Sequence, residues 1–381
     1  MHEVPIEGGP VEMAGALDVD RSPTGVSPRR LPDWTRSQLP DPLMDAVVQM
    51  PSGVRLRFAT GARSIELEVM QTMFRFPLEP LTPSAFDLVV DGTLAGQARS
   101  AVGNLFNLDL ANPANTTFEP GEPTVVRFDG LAEGPKVVEL WLPQRATVEL
   151  RGLRVDDGAD VTAAPPSGRR RWVHYGSSIS HCMEADSPTT TWPATAARLA
   201  GVDLVNLGFG GQCHLDPFVA RTIRDLPADV ISLKVGINLV NADSMRERVF
   251  GPALHGFLDT VREGHPTTPI LLASPIFCPS VEDRPGPNVI GPDGRFTNVE
   301  GLEAYRLTCL TLTKIRATIA AIVESRRGLG DPALHHLDGL DLFGPGDAAD
   351  LGDDLHPNAA GYVRMGERFA ALAFAPGAAL A

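Results

Sequence analysis

The 381-residue chain is short of several things that define whole classes of protein. Its four cysteines, Cys182, Cys213, Cys278 and Cys309, include no C-x-x-C pair. That spacing supplies neither a zinc cluster nor a disulfide framework, so buried free thiols are expected. Positive charge is scarce: 33 Lys and Arg stand against 47 Asp and Glu, a net charge of −14. This argues against nucleic acid or an anionic membrane surface as a partner. No uninterrupted apolar run is long enough to span a bilayer. The first ten residues, Met1 to Pro10, hold neither a basic segment nor an apolar core of a secretory signal, so a cytoplasmic location is expected. What remains is ordinary for a globular protein, 43% hydrophobic and 21% charged, at a length that allows two domains.

The pattern changes along the chain. Residues 1–39, rich in Gly, Pro and charge, read as an extended arm. Residues 40–157 carry short alternating runs such as Val54–Phe58, Ser64–Val69, Phe86–Asp91, Val137–Leu142 and Ala146–Gly152. With turn signals at Asp91-Gly92 and Asp129-Gly130, this predicts antiparallel strands in a β-sandwich or jelly-roll-like domain. Residues 158–171 read as a linker, and residues 172–381 switch to strands separated by helical patterns. Strand candidates are Trp172–Tyr175, Val202–Leu207, Val230–Val235, Ile270–Ala273 and Leu334–Leu337. Helical patterns cover about Thr191–Leu199, Pro217–Arg224, Ser244–Arg262 and Val299–Arg326, with a last one after His356. The fold class is therefore α/β, a parallel sheet covered on both faces and preceded by a β-sandwich.

Four short patches follow strands of this second part. Ser178 lies in the turn between the first strand and a helix, where open α/β sheets bind ligands. Asn206-Leu-Gly-Phe-Gly-Gly-Gln212 closes the second strand, and its glycines let backbone N–H groups approach a ligand. Gly236-Ile-Asn-Leu239 closes the third, with an amide that can donate to an oxyanion. Asp353-Asp-Leu-His356-Pro357 precedes the last helix, and its spacing lets Asp353 accept from one ring nitrogen while the other faces a nucleophile. Taken singly, each patch also fits a turn or helix cap. A metal site using His335 and His336 is disfavoured, since adjacent strand residues point to opposite faces.

Together the four patches resemble the SGNH superfamily of GDSL-type esterases and acyltransferases, over roughly Arg171 to Ala381. Gly176-Ser-Ser-Ile179 stands where that family has Gly-Asp-Ser-Leu; Asn206-x-Gly-x-Gly-Gly211, Gly236-x-Asn238 and Asp353-x-x-His356 match the later blocks. Ser177 replaces the usual Asp before the nucleophile, and Leu239 replaces an Asp that often follows the third-block Asn. An α/β-hydrolase is the nearest rival, but Gly176-x-Ser178-x-Ser180 lacks the elbow's second glycine.

The resemblance implies a flavodoxin-like three-layer sheet with a Ser178, His356, Asp353 triad. It also implies an oxyanion hole made by Ser178 N–H, Gly211 N–H and the Asn238 amide. The β-rich front part is similar to modules preceding SGNH domains in carbohydrate acetyl esterases. The two-domain layout also resembles that of GDSL acyltransferases acting on tetracycline-type polyketides with aryl-CoA donors. No bound cofactor or metal is expected; acyl-CoA enters only as a donor substrate. Partners are then a small ester or thioester donor and a hydroxyl acceptor, with water as the acceptor in the esterase alternative. A third reading is a carbohydrate-binding protein that has lost activity. The apolar Met70–Pro77 segment offers Phe74 and Phe76 as acceptor-lining candidates.

Overall fold

The computed structural model describes residues 1–75, 80–109, 113–291, 293–301 and 303–381. The chain divides into two compact units, Met1–Gly168 with Asp186–Thr190, and Arg169–Ala185 with Thr191–Ala381.

In the first unit an eight-stranded and a six-stranded sheet are present among the described residues. Alternation puts Ile65, Leu67, Val69, Leu150 and Leu153 of one sheet against Leu56, Phe58, Phe86, Leu88 and Leu140 of the other in one buried core. Among the described residues pairing is antiparallel except between Ile65–Arg75 and Asn104–Asn107, which run parallel.

Residues 1–39 are not an extended arm. His2–Val4 pairs with Ala146–Val155, and Glu12–Ala14 with Arg55–Thr60. Asp18–Arg21 pairs with Val26–Arg29. Long sheet strands leave N–H and C=O groups that need partners, and these short segments supply them. Arg30, fully buried, donates to the carbonyls of Val47 and Met50. A helix also interrupts the expected all-β region at Pro42–Gln49, where Asp41 accepts from Met44 N–H and Pro42 opens the first turn. Within the expected linker, Val161–Thr162 pairs with Arg55–Thr60.

The second unit is built on five parallel strands: β1 (Arg171–Gly176), β2 (Asp203–Gly208), β3 (Val230–Lys234), β4 (Ile270–Ala273) and β5 (Leu334–Leu337). Their order is β2-β1-β3-β4-β5, the flavodoxin-like arrangement, with its switch point between β1 and β3. The helices are α1 (Ser178–His181), α2 (Trp192–Ala200), α3 (Pro217–Asp225), α4 (Ile237–Asn241) and α5 (Glu247–Gly264). They continue with α6 (Leu312–Gly328), α7 (Gly339–Leu342) and α8 (Ala359–Ala373). Trp172 of β1 stacks on Phe369 of α8 at 5.2 Å, while Tyr175 stacks on Phe257 of α5 at 5.4 Å. Since residues 172 and 175 face opposite sides of a strand, helices cover both faces. The helical pattern beginning at Ser244 is the single helix α5, from Glu247, with the short α4 lying ahead of it, and the one beginning at Val299 yields an α-helix only from Leu312, after its Thr311 cap.

The 186–190 segment is held in the first unit by Asp87, which is fully buried. Its Oδ2 accepts from Ser187 Oγ at 2.6 Å, Thr189 Oγ1 at 2.6 Å and Thr189 N–H at 3.1 Å; Oδ1 accepts from Gln97 at 2.8 Å. Asp87→Ala removes the acceptor these buried donors share and is expected to cost about 3 kcal/mol, with a smaller loss for Asn. Urea unfolding measures it, and an unchanged midpoint would show that the segment is held by other contacts.

Candidate active site

β1 ends at Gly176, and Ser177 caps the short helix that follows, its Oγ accepting from Ile179 N–H at 3.3 Å. Ser178 is thereby the first residue of α1, half-buried, at the carboxyl end of the sheet. The Ser at 177, where the family has Asp, thus serves as an N-cap.

Ser178 Oγ donates to His356 Nε2 at 2.8 Å, and His356 Nδ1 donates to Asp353 Oδ2 at 2.6 Å. The other carboxylate oxygen of Asp353 accepts from His356 N–H at 2.6 Å and Leu355 N–H at 3.0 Å. This closed turn carries Asp354 at φ 67°, and Asn358 then caps α8 by accepting from Gly361 N–H. Burial alone would push the Asp353 carboxyl up, but the charge on His356 and the hydrogen bonds from His356 and Leu355 outweigh it, leaving the group below its usual value. Asp353 therefore remains an anion beside the imidazole.

The oxyanion candidates follow the carboxyl ends of β1, β2 and β3. Asn206, at the end of β2, donates to Ser180 O and accepts from Gly208 N–H, both at 2.9 Å, tying the glycine loop to α1. A Cβ at Gly208 would strike the Ser180 and His181 backbone, so only glycine fits there. Gly211 takes φ 73°, which also favours glycine. Asn238 Oδ1 accepts from Cys213 N–H at 3.0 Å, so the donor of this amide is Nδ2. Ser178 N–H and Gly211 N–H make no hydrogen bond among the described residues.

The structure thus brings Ser178, His356 and Asp353 into one chain of hydrogen bonds. Phe74 lies in the first unit, in an aromatic row with Phe106 at 5.7 Å and then Phe118. Phe76 falls outside the described residues. Cys213 is fully buried, its thiol pushed up to about 12 by that burial, so proximity does not make it a nucleophile. All four cysteines are free and buried. His335 and His336 sit on β5, and among the described residues no group of three ligating side chains could hold a metal ion. No helix among them is long and apolar enough to cross a membrane.

Three residues beside the site were not singled out from the sequence. Phe296, in the hairpin of Asn288–Ile290 and Phe296–Asn298, sets its ring edge-on to His356 at 5.6 Å, while its N–H donates to Asp353 O at 2.8 Å. Glu184 lies 3.8 Å from His356 Nδ1. His174 is fully buried in β1, hydrogen-bonded to Ser232 of β3 at 2.7 Å and Ser180 of α1 at 2.8 Å. A histidine inside an otherwise apolar strand was the available hint for the last; Glu184 comes from a loop without pattern and Phe296 from a strand of three residues.

Residues 169–278 match the GDSL-like lipase/acylhydrolase family. Over nearly its whole length the chain is similar to SsfX3, a salicylyl-acyltransferase from a tetracycline biosynthetic pathway. The two share 30% identity with a TM-score of 0.80, covering 96% of this chain and 95% of that one. The chain belongs to the GDSL/SGNH superfamily. It is an enzyme of that family, whose chemistry is acyl transfer or ester hydrolysis. Other members share the fold at lower identity. A GDSL-like protein from Bacteroides ovatus has a TM-score of 0.69 at 19% identity, covering 94% of each chain. A family two carbohydrate esterase from Clostridium thermocellum has 0.59 at 15%, covering 95% of this chain and 97% of that one. No curated protein sequence matches the chain.

Burial, with the Lys234 charge, pushes His174 down to about 3 from an ordinary 6.5, so the folded state keeps it neutral. The unfolded chain binds that proton first, so stability falls by about 1.4 kcal/mol per pH unit between those two values as acid is added. His174→Gln should flatten this part of the curve of unfolding free energy against pH. A slope equal to that of the wild type would show that His174 titrates normally.

Proposed function

We propose that Ser178 is the nucleophile of a serine-dependent acyl transfer, with His356 as base and Asp353 as its orienting anion. The observation that carries this is the 2.8 Å bond from Ser178 Oγ to an imidazole already anchored at its other nitrogen. As Oγ attacks the acyl carbonyl, its proton passes to Nε2, and the developing oxyanion meets Ser178 N–H, Gly211 N–H and Asn238 Nδ2. Nε2 then protonates the leaving thiol or alcohol, the carbonyl–leaving-group bond breaks, and acyl-Ser178 remains. A hydroxyl acceptor, deprotonated by Nε2, resolves it and restores the serine.

We take the reaction to be O-acyl transfer, moving an acyl group, aryl groups included, from an acyl-CoA thioester to a hydroxyl of a small molecule such as an aromatic polyketide. Similarity to a salicylyl-acyltransferase across both units supports this reading. Hydrolysis at the same site is the second reading, favoured by the lipase/acylhydrolase description of the matched family.

Intact mass followed over time after mixing with activated acetyl and aryl esters tests both. A Ser178 adduct lasting minutes, absent in Ser178→Ala, is expected for a transferase; rapid turnover without a lasting adduct indicates an esterase. Normal acylation of Ser178→Ala would remove the nucleophile assignment. Asn238→Ala should lower kcat by about 10²–10³-fold; an unchanged kcat would take Asn238 out of the oxyanion hole.

A further inference from the structure

The loop after α1 brings a second carboxylate to the same ring nitrogen that Asp353 occupies. Cys182, at φ 62°, ends α1 with its N–H donating to Ser178 O at 2.7 Å, and Ala185 N–H donates back to Cys182 O at 3.1 Å. Within this tight turn Glu184 Oε1 stands 3.8 Å from His356 Nδ1, against 2.6 Å for Asp353 Oδ2. Glu184 is not adrift: its Oε2 accepts from Tyr362 OH at 2.9 Å, and Tyr362 is fully buried in α8. One carboxylate thus comes with the nucleophile's segment, the other with the histidine's own turn.

Resting on the site reading above, we propose that Glu184 is a positioning residue for His356, a second anion that stabilises the imidazolium formed when Ser178 gives up its proton. At 3.8 Å the pair is too long for a strong hydrogen bond but well within reach of an ionic attraction once the ring is charged. The half-open setting screens that attraction, so Asp353 remains the principal partner. Other charged and titratable groups near the ring are engaged among the described residues. Arg295, beside Phe296 on the hairpin, pairs with Asp354 at 3.1 Å, and the Cys278 thiol, pushed up by burial, donates to Asp354 O. Tyr362 is held neutral by its burial.

The sign of the effect follows from charge. The base must be neutral to act, and a nearby anion favours the protonated ring, so neutralising Glu184 makes the ring easier to deprotonate. Glu184→Gln keeps an acceptor for Tyr362 and removes only the charge.

The test is the pH dependence of the acylation rate of the full-length protein by p-nitrophenyl acetate, read from p-nitrophenol release. Glu184→Gln should move the acid limb down by about half a pH unit and slow acylation at neutral pH several-fold, with an unchanged Tm. Tyr362→Phe, which frees the Glu184 carboxylate, should move the limb in the same direction. Adding Glu184→Gln to Asp353→Asn should cost about a further tenfold, because in the Asp353→Asn background Glu184 is the one carboxylate left to face the imidazolium. A Glu184→Gln profile superimposable on the wild type, or a double variant no slower than Asp353→Asn, overturns the proposal. Ser178→Ala separates the two levels: if it still acylates, the site reading fails, whatever Glu184 does.

Discussion

The register of the parallel ladder is the constraint on which the site depends. Gly176 of β1 lies directly beside Gly208 of β2 and beside Lys234 of β3. Three strands therefore end level, and the loops that leave them start from one line. Residues far apart in sequence, Ser178, Gly211 and Asn238, are delivered to the switch point because strand order places β1 between β2 and β3. A shift of one residue in any of these pairings would reverse which face each side chain uses and scatter the group.

Beneath that edge burial keeps His174 neutral, while Asp353 at its surface keeps its charge. His174 and Lys234, both buried, are pushed down to about 3 and about 8 by loss of solvent. Around His356 the opposite holds: Asp353 stays ionised because hydrogen bonds and the histidine's charge overcome the cost of burial. The result is a neutral histidine under α1 and an anion held against the imidazole of His356.

Much of this is legible in the residues alone. Period-two alternation in residues 40–157, its replacement by strand–helix alternation after 171, and the four ordered blocks lead to both architectures and to the serine, histidine and aspartate. The misreadings share a cause. Residues 1–39 look like an arm because each strand is only three or four residues long and interrupted by Gly and Pro; their order comes from longer partners such as Ala146–Val155. The helical pattern from Val299 extends too far because apolar periodicity continues through a 3₁₀ turn at Glu303–Thr308, whereas the α-helix waits for Thr311. Glu184 gives no signal, since a lone residue in an irregular loop has no period to betray its direction, and Phe296 lies in a strand of three residues, too short to show one.

Local spacing pointed to the candidate site residues and to the order in which strands present them, because short-range spacing controls local geometry: Asp353 reaches His356 within one turn, and Ser177 caps the helix that begins with Ser178. What surrounds them had to wait for the folded chain. The distances from His356 to Ser178, from Glu184 to His356 and from Asn238 to Cys213 span from 25 to 178 positions of chain. Such contacts are set by sheet register and helix packing, which emerge from burial of the whole core and are written in no local segment.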